Sequence, residues 1–174
     1  MQRTQWIVIT GAPCSGKTSV IRALESRGYE VVHEAARALI DEALAQGLTL
    51  EKIKADELTF EKRILSAKIA TESSLNPEHP VFLDRAIPDS IAYFRHAGFD
   101  ITEALASSRL FQYKKIFLFD RLLFKKDAVR SEDIAAATEL DRLLEDSYRM
   151  LGYSVTRVPV MTMAERTAFI LRHL

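Results

Sequence analysis

Only one cysteine, Cys14, occurs in the 174 residues. An internal disulfide is thereby excluded, and a reducing compartment, the cytoplasm, is expected. Net charge is lacking too, because 24 Lys and Arg balance 24 Asp and Glu. A general binder of nucleic acid or other polyanions carries a net basic surface, so that class is not expected, although a local basic pocket stays open. Long apolar runs are also missing. The longest, such as Ile116 to Phe119, have four residues, against the roughly 20 that a membrane span needs. No long apolar stretch follows the first charges, so no signal peptide is expected. The histidines His33, His79, His96 and His173 show no metal-ligand spacing. Repeats, linkers and low-complexity tails are absent from the sequence.

What is present suits one soluble domain, 1–174, with 48% hydrophobic residues and enough length for a real core. Short β-branched or aromatic runs predict strands at Trp6–Thr10, Tyr29–His33, Val81–Asp84, Lys115–Phe119 and Ser154–Val158. Between them, helical patterns cover Lys17–Arg27, Ala35–Gln46, Asp56–Ser73, Pro88–Ala97 and Ile134–Leu151. Gly28, Gly47, Gly98 and Gly152 stand where four helices should stop. Asp100-Ile-Thr-Glu103 and Thr162-x-x-Glu165 have the spacing of capping boxes and predict two more helix starts. Five alternations of short strand and longer helix predict an α/β fold. A five-stranded parallel sheet would be covered on both faces, in a three-layer sandwich.

The most specific signal is Gly11-Ala12-Pro13-Cys14-Ser15-Gly16-Lys17-Thr18, with Ser19 behind it. It matches G-x-x-x-x-G-K-[ST] in full, after a strand and before a helix. Such a loop turns its backbone N–H groups inward, and the helix adds its positive end, so phosphates are held. Lys17 then reaches the β and γ phosphates. The Thr18 hydroxyl is a hard oxygen ligand for Mg²⁺. ATP and Mg²⁺ are the expected cofactors. Cys14 sits inside the loop, which already has a different task from nucleophilic chemistry; its oxidation or alkylation is expected to block nucleotide binding.

In a parallel sheet, ligands lie beyond the carboxyl ends of the strands. Glu34, Asp84 and Asp120 fall there. Asp84 ends a hydrophobic strand, the form of the second nucleotide-binding motif, whose acid helps hold Mg²⁺. Glu34 suits a general base near an acceptor hydroxyl or an attacking water. The two could divide these jobs in either order; Asp84 at the metal and Glu34 at the acceptor is favoured. The plain alternatives are a capping or salt-bridging Asp84 and a Glu34 that serves the helix dipole. Arg85 suits a second substrate, or else an ion pair with Asp89 or Glu34. Arg37 follows Glu34 by three residues and is expected at the same cleft. Tyr93, Phe94 and Phe99 suit helix packing or one wall of a substrate pocket.

One stretch breaks the rhythm. Residues 121–133 carry Arg121, Lys125, Lys126 and Arg130, and a kinase-like lid is expected there. Cations closing over a transferring phosphoryl group help most in the transition state, and closure excludes water. Arg121 and Arg130 are the candidates. A solvated loop is the alternative, and Lys125 and Lys126 fit it better.

Several segments together carry a resemblance. They are Ile9-Thr-Gly-Ala-Pro-Cys-Ser-Gly-Lys-Thr18, Val31-Val-His-Glu-Ala-Ala-Arg37, and Phe82-Leu-Asp-Arg85 with Pro88-Asp89-Ser90. Asp127-Ala-Val-Arg-Ser-Glu-Asp133, Tyr148-x-x-Leu-Gly-Tyr153 and Glu165-Arg-x-x-Phe-Ile170 complete them. From Ile7 to Leu174 the chain resembles the NadR-type P-loop family, AAA-labelled single-domain ATPases similar to nicotinamide riboside kinase domains. The resemblance implies a kinase-like core with ATP and Mg²⁺, an acceptor pocket near Glu34, Asp84 and Arg85, and a lid around Arg121 and Arg130. Two departures stand out. Family members usually have a second glycine after the first and another where Cys14 stands. The nicotinamide riboside kinases also sit in longer proteins with an added catalytic domain, for which this length leaves no room.

The leading expectation is a kinase moving the γ-phosphate of ATP to a nucleoside-like or vitamin-like hydroxyl. The alternatives are an NTP hydrolase or nucleotide-gated switch acting on a protein partner, and a nucleotide or phospholipid binder with little turnover.

Overall fold

The computed structural model describes residues 1–122 and 131–174. Seven strands and eight helices appear among them. In chain order they are β1 (Gln2–Arg3), β2 (Ile7–Thr10), α1 (Lys17–Glu25), β3 (Val31–Val32), α2 (Ala35–Ala45), α3 (Leu50–Ala55), α4 (Glu57–Ser74), β4 (Phe82–Asp84), α5 (Asp89–His96), α6 (Thr102–Ser107), β5 (Phe111–Gln112), β6 (Lys115–Phe119), α7 (Ser131–Met150), β7 (Val155–Val158) and α8 (Met163–Arg172). Five strands form one parallel sheet in the order β3-β4-β2-β6-β7. This is the α/β fold expected from the strand–helix alternation. A two-residue parallel pair, β1 with β5, lies apart from it.

The alternation of side chains along the strands sorts them into two cores. Ile7, Ile9, Phe82, Phe117 and Phe119 pack with Val20, Ile21 and Leu24 of α1 and Ile170 of α8. Val8, Leu83 and Ile116 point the other way, to Leu65 of α4, Ile91 and Phe94 of α5, and Tyr148 of α7. Strands buried on both sides are apolar at nearly every position, which is why Ile7–Ile9 of β2 and Ile116–Phe119 of β6 read as hydrophobic runs. Helices therefore cover both faces, and the sandwich has three layers.

β2 is the middle strand. The chain runs from it out to β3, returns through β4, and then crosses to β6 and β7. The order reverses at β2, so a crevice opens at the carboxyl ends of β2, β4 and β6. Every residue of the phosphate-loop motif lies at that point.

Differences from expectation are local. Glu34 stands at the N-cap of α2, but its side chain makes no capping bond. The Thr162–Glu165 capping box is complete, with both reciprocal bonds made. The Asp100 one is not: Asp100 Oδ1 instead accepts from the backbone and hydroxyl of Thr102, two residues on. A short polar side chain can close such a turn instead of reaching the third residue. Helix α3 and the β1–β5 pair were not expected, because six-residue and two-residue elements carry too little periodicity to read.

Candidate active site

The phosphate loop begins where β2 ends. Gly11 has φ +146°, and a Cβ there would stand 2.9 Å from the Phe119 carbonyl oxygen. Only glycine lets the loop pass so close to β6. Gly16, at φ +85°, forms the N-cap of α1. Cys14 also takes a positive φ, 60°, in the region where a side chain costs roughly 1 kcal/mol and a glycine does not. Pro13 and Cys14 are exposed, while Ala12 and Ser15 are buried. Among the described residues, the backbone N–H groups of Cys14 and Gly16 donate to no backbone carbonyl, which suits a phosphate cradle.

Lys17 is buried, and its Nζ donates to the Gly11 carbonyl at 2.8 Å, the Ala12 carbonyl at 3.1 Å and Ser15 Oγ at 3.2 Å. The ammonium is thus folded along the loop. Burial and then the Arg85 charge push its pKa down to about 7, against the pull of Asp84, Glu34 and Asp89. Negative phosphate beside it would hold it protonated. Thr18 is half-buried and Ser19 exposed on the first turn of α1.

Asp84 ends β4 opposite Ile9 of β2. By strand alternation it lies on the same face as Phe82, the face that α1 covers. It is buried, and its Oδ1 has no hydrogen-bond partner among the described residues. Burial, then the Glu34 charge, raises its pKa to about 6 against Lys17 and Arg85. A buried carboxylate oxygen without a donor is what a hard cation would satisfy. Asp84 and Thr18 therefore fit Mg²⁺. Among the described residues no group of three or more His, Cys, Asp or Glu could hold a metal.

Arg85 joins the sequence-predicted residues into one site. Its Nε donates to Glu34 Oε1 at 2.7 Å and its Nη1 to Asp89 Oδ1 at 3.3 Å. The guanidinium carbon lies 5.2 Å from the centre of the Tyr93 ring. Its backbone has φ +69°, the turn that sends the chain from β4 towards α5. Burial alone would lower its pKa; the negative groups around it raise it instead. Burial would likewise raise Glu34, but the charge and hydrogen bond of Arg85, with Lys17 and Lys68, hold that carboxyl below its usual range.

Asp89 was anticipated only as an ion-pair partner. It is fully buried and is the hub behind the site. It accepts from the Thr10 hydroxyl, the Ala86 backbone at 3.0 Å and the Tyr148 hydroxyl at 2.5 Å. Burial would raise its pKa, but Lys68 and Arg85 keep it low. Through it, the last residue of β2 is tied to Arg85 and to α7. No sequence signal marked this role, because the partners lie 59 and 79 residues away.

Two clefts meet at Arg85 and Lys68. One, of about 150 Å³, is walled by Phe60, Ile64 and Tyr93 and bears Glu34, Glu61 and Arg85. The other, of about 220 Å³, lies between α2, α4 and the ends of β3 and β4, with Asp84, Glu72 and His33 on its walls. Tyr93 thus lines a pocket while Phe94 belongs to the core. Arg37 is exposed on α2 and lines neither cleft.

The third acid, Asp120, is engaged by Arg157 at 3.1 Å. Arg121 lies against α7, donating to the Ile134 carbonyl at 3.1 Å and Thr138 Oγ1 at 2.7 Å. Arg130, Lys125 and Lys126 lie outside the described residues. His33 and His96 sit beside Glu25 and Glu139 on the surface. Among the described residues no helix is long and apolar enough to cross a membrane.

A model of the AAA domain family matches residues 6–166. No curated protein matches in sequence. Among solved structures, deoxyadenosine kinase from M. mycoides with products dCMP and a flexible dCDP bound is 15% identical, with a TM-score of 0.61 and 97% of each chain covered. Thymidylate kinase from Ehrlichia chaffeensis is 17% identical at TM-score 0.68, covering 97% of this chain and 96% of that one. NadR protein in complex with NR is 15% identical at TM-score 0.71, and this chain spans 49% of it. The shared property at these identities is the P-loop kinase fold.

Proposed function

The chain belongs to the AAA domain family, and on that premise we propose that it is an Mg²⁺-dependent ATP phosphotransferase. Its acceptor is a small molecule with a nucleoside-like or vitamin-like hydroxyl. The observation that carries this reading is the cleft walled by Phe60, Ile64 and Tyr93, which bears Glu34 and Arg85. An apolar pocket with a few convergent polar groups is what a flat organic acceptor needs; a hydrolase needs room for water alone. The kinases that share the fold, named for deoxyadenosine and thymidylate, support the same class of acceptor.

The loop from Gly11 to Lys17 holds the triphosphate, with Lys17 at the phosphates and Thr18 and Asp84 as the protein's oxygens for Mg²⁺. When bound, that ion neutralises charge on the phosphate oxygens. Glu34 has Oε1 committed to Arg85, which leaves Oε2 to accept the hydrogen bond of the acceptor hydroxyl. A carboxylate of low pKa suits that positioning role, because phosphoryl transfer asks more for alignment than for a strong base. Arg85 fixes Glu34 and adds positive charge beside the transferring group. Arg121 and Arg130 are the candidates to close over it.

The test is phosphorus-31 NMR of the protein with Mg²⁺-ATP, with and without a pool of nucleosides, nicotinamide riboside and phosphorylatable vitamins. The expected result is a new phosphomonoester resonance only with the pool. Steady release of free phosphate without an ester would overturn the kinase reading in favour of a hydrolase or protein-directed switch.

A further inference from the structure

Arg166 lies in α8, 151 residues from the phosphate loop in sequence, yet its guanidinium is part of the loop's support. It is 2% exposed and stacks over the Phe119 ring, 5.0 Å from its centre. Each of its three nitrogens holds a different backbone carbonyl. Nη1 donates to Ser15, Nη2 to Asp120 at 3.1 Å and Nε to Pro159 at 2.9 Å. These carbonyls belong to the phosphate loop and to the two segments that leave β6 and β7. A Cβ on Gly16 would stand 3.3 Å from Nη1, so the absence of a side chain there permits the approach.

We infer that Arg166 is a positioning residue for nucleotide binding, which sets the orientation of the Ser15–Gly16 peptide. In a trans peptide the carbonyl and the following N–H point in opposite directions. Drawing the Ser15 carbonyl towards Arg166 turns the Gly16 N–H away from it, to the open side of the loop where phosphate would sit. Three of its five N–H groups are engaged by these backbone carbonyls, and the role inferred for it is exerted through the loop. Its planar fork places the donors on three separate nitrogens, spread over the guanidinium, whereas a lysine ammonium carries all of its donors on one atom. The inference rests on the nucleotide-binding part of the proposed function and not on the identity of the acceptor.

Affinity for Mg²⁺-ATP, measured by titration calorimetry below each variant's melting temperature, tests it. Arg166→Ala is expected to weaken binding by more than about tenfold, and Arg166→Lys by several-fold, since charge-assisted hydrogen bonds are lost. Ile170→Val, which loosens the same helix from its core side, should lower the melting temperature and leave ATP affinity unchanged. Wild-type affinity in Arg166→Lys would overturn the inference, because charge alone would then suffice; this variant decides if Arg166→Ala does not fold. Equal loss of affinity in Ile170→Val would overturn it too, by showing only a loosened helix. A wild-type protein that does not bind Mg²⁺-ATP would overturn the nucleotide reading and this inference with it.

Discussion

Arg85 donates from Nε to Glu34 Oε1 at 2.7 Å, joining two residues 51 apart in sequence at the carboxyl edge of the sheet. The contact makes Arg85 and Glu34 one unit. Asp89 holds the far side of the guanidinium, and Tyr93 lies against its face. Since the pair is partly buried, removing one partner strands the other.

Glu34→Gln therefore tests the pair directly. ATP affinity should stay near wild type, while ester formation falls by about 10²-fold, the order lost when a reacting group is misplaced. Calorimetry with Mg²⁺-ATP and a transfer assay separate the two. Loss of Mg²⁺-ATP binding in this variant would instead exchange the roles of Glu34 and Asp84.

Lys17→Ala removes the cation that lies along the loop carbonyls. ADP formation should fall by about 10²–10³-fold, in line with loss of one preorganised donor to developing charge. Unchanged turnover would end the assignment of the loop.

Gly11→Ala places a methyl 2.9 Å from the Phe119 carbonyl at φ +146°. Backbone cannot yield as a flexible side chain does, so β6 or the loop must shift. The variant should melt at lower temperature and bind ATP more weakly, by thermal scanning and calorimetry. A normal melt with normal affinity would contradict the close approach.

Glu72 gives a pH prediction. It is buried, accepts from Tyr113 Oη at 2.6 Å and from the Ile87 backbone at 2.9 Å, and burial raises its pKa to about 7 against those bonds and Lys68. A raised carboxyl pKa means that the folded state holds a proton the unfolded state has released. Stability from this group is present at low pH and declines as pH rises from about 4.5 to 7, by on the order of 3 kcal/mol. Glu72→Gln should remove that decline, as read from urea unfolding at pH 5 and pH 8. A wild-type curve no steeper than the variant's would refute it.

The contiguous features were legible in the sequence. The loop from Gly11 to Thr18 is a local motif. The strand Lys115–Phe119 agrees end to end, and Thr162–Glu165 forms its box, because each depends on neighbours within a few residues. The alternation of short apolar runs with helices gave the parallel sheet for the same reason. The site as an assembly was not legible. Arg37 and Arg85 looked alike as candidates, yet Arg85 is buried between two acids while Arg37 is exposed.

Glu34, Asp84 and Lys17 thus had their residue types and their places at strand ends determined by the sequence. Which of them touch, what charge each carries, and that Asp89 and Arg166 stand behind them, only the tertiary structure decided. The Glu34–Arg85 and Ser15–Arg166 contacts span 51 and 151 residues of chain, and a spacing rule reaches only a turn or two of helix. Their partners are chosen by where the crossovers bring strand ends together, and their ionisation by burial there. Both are properties of the packed sheet and not of any segment.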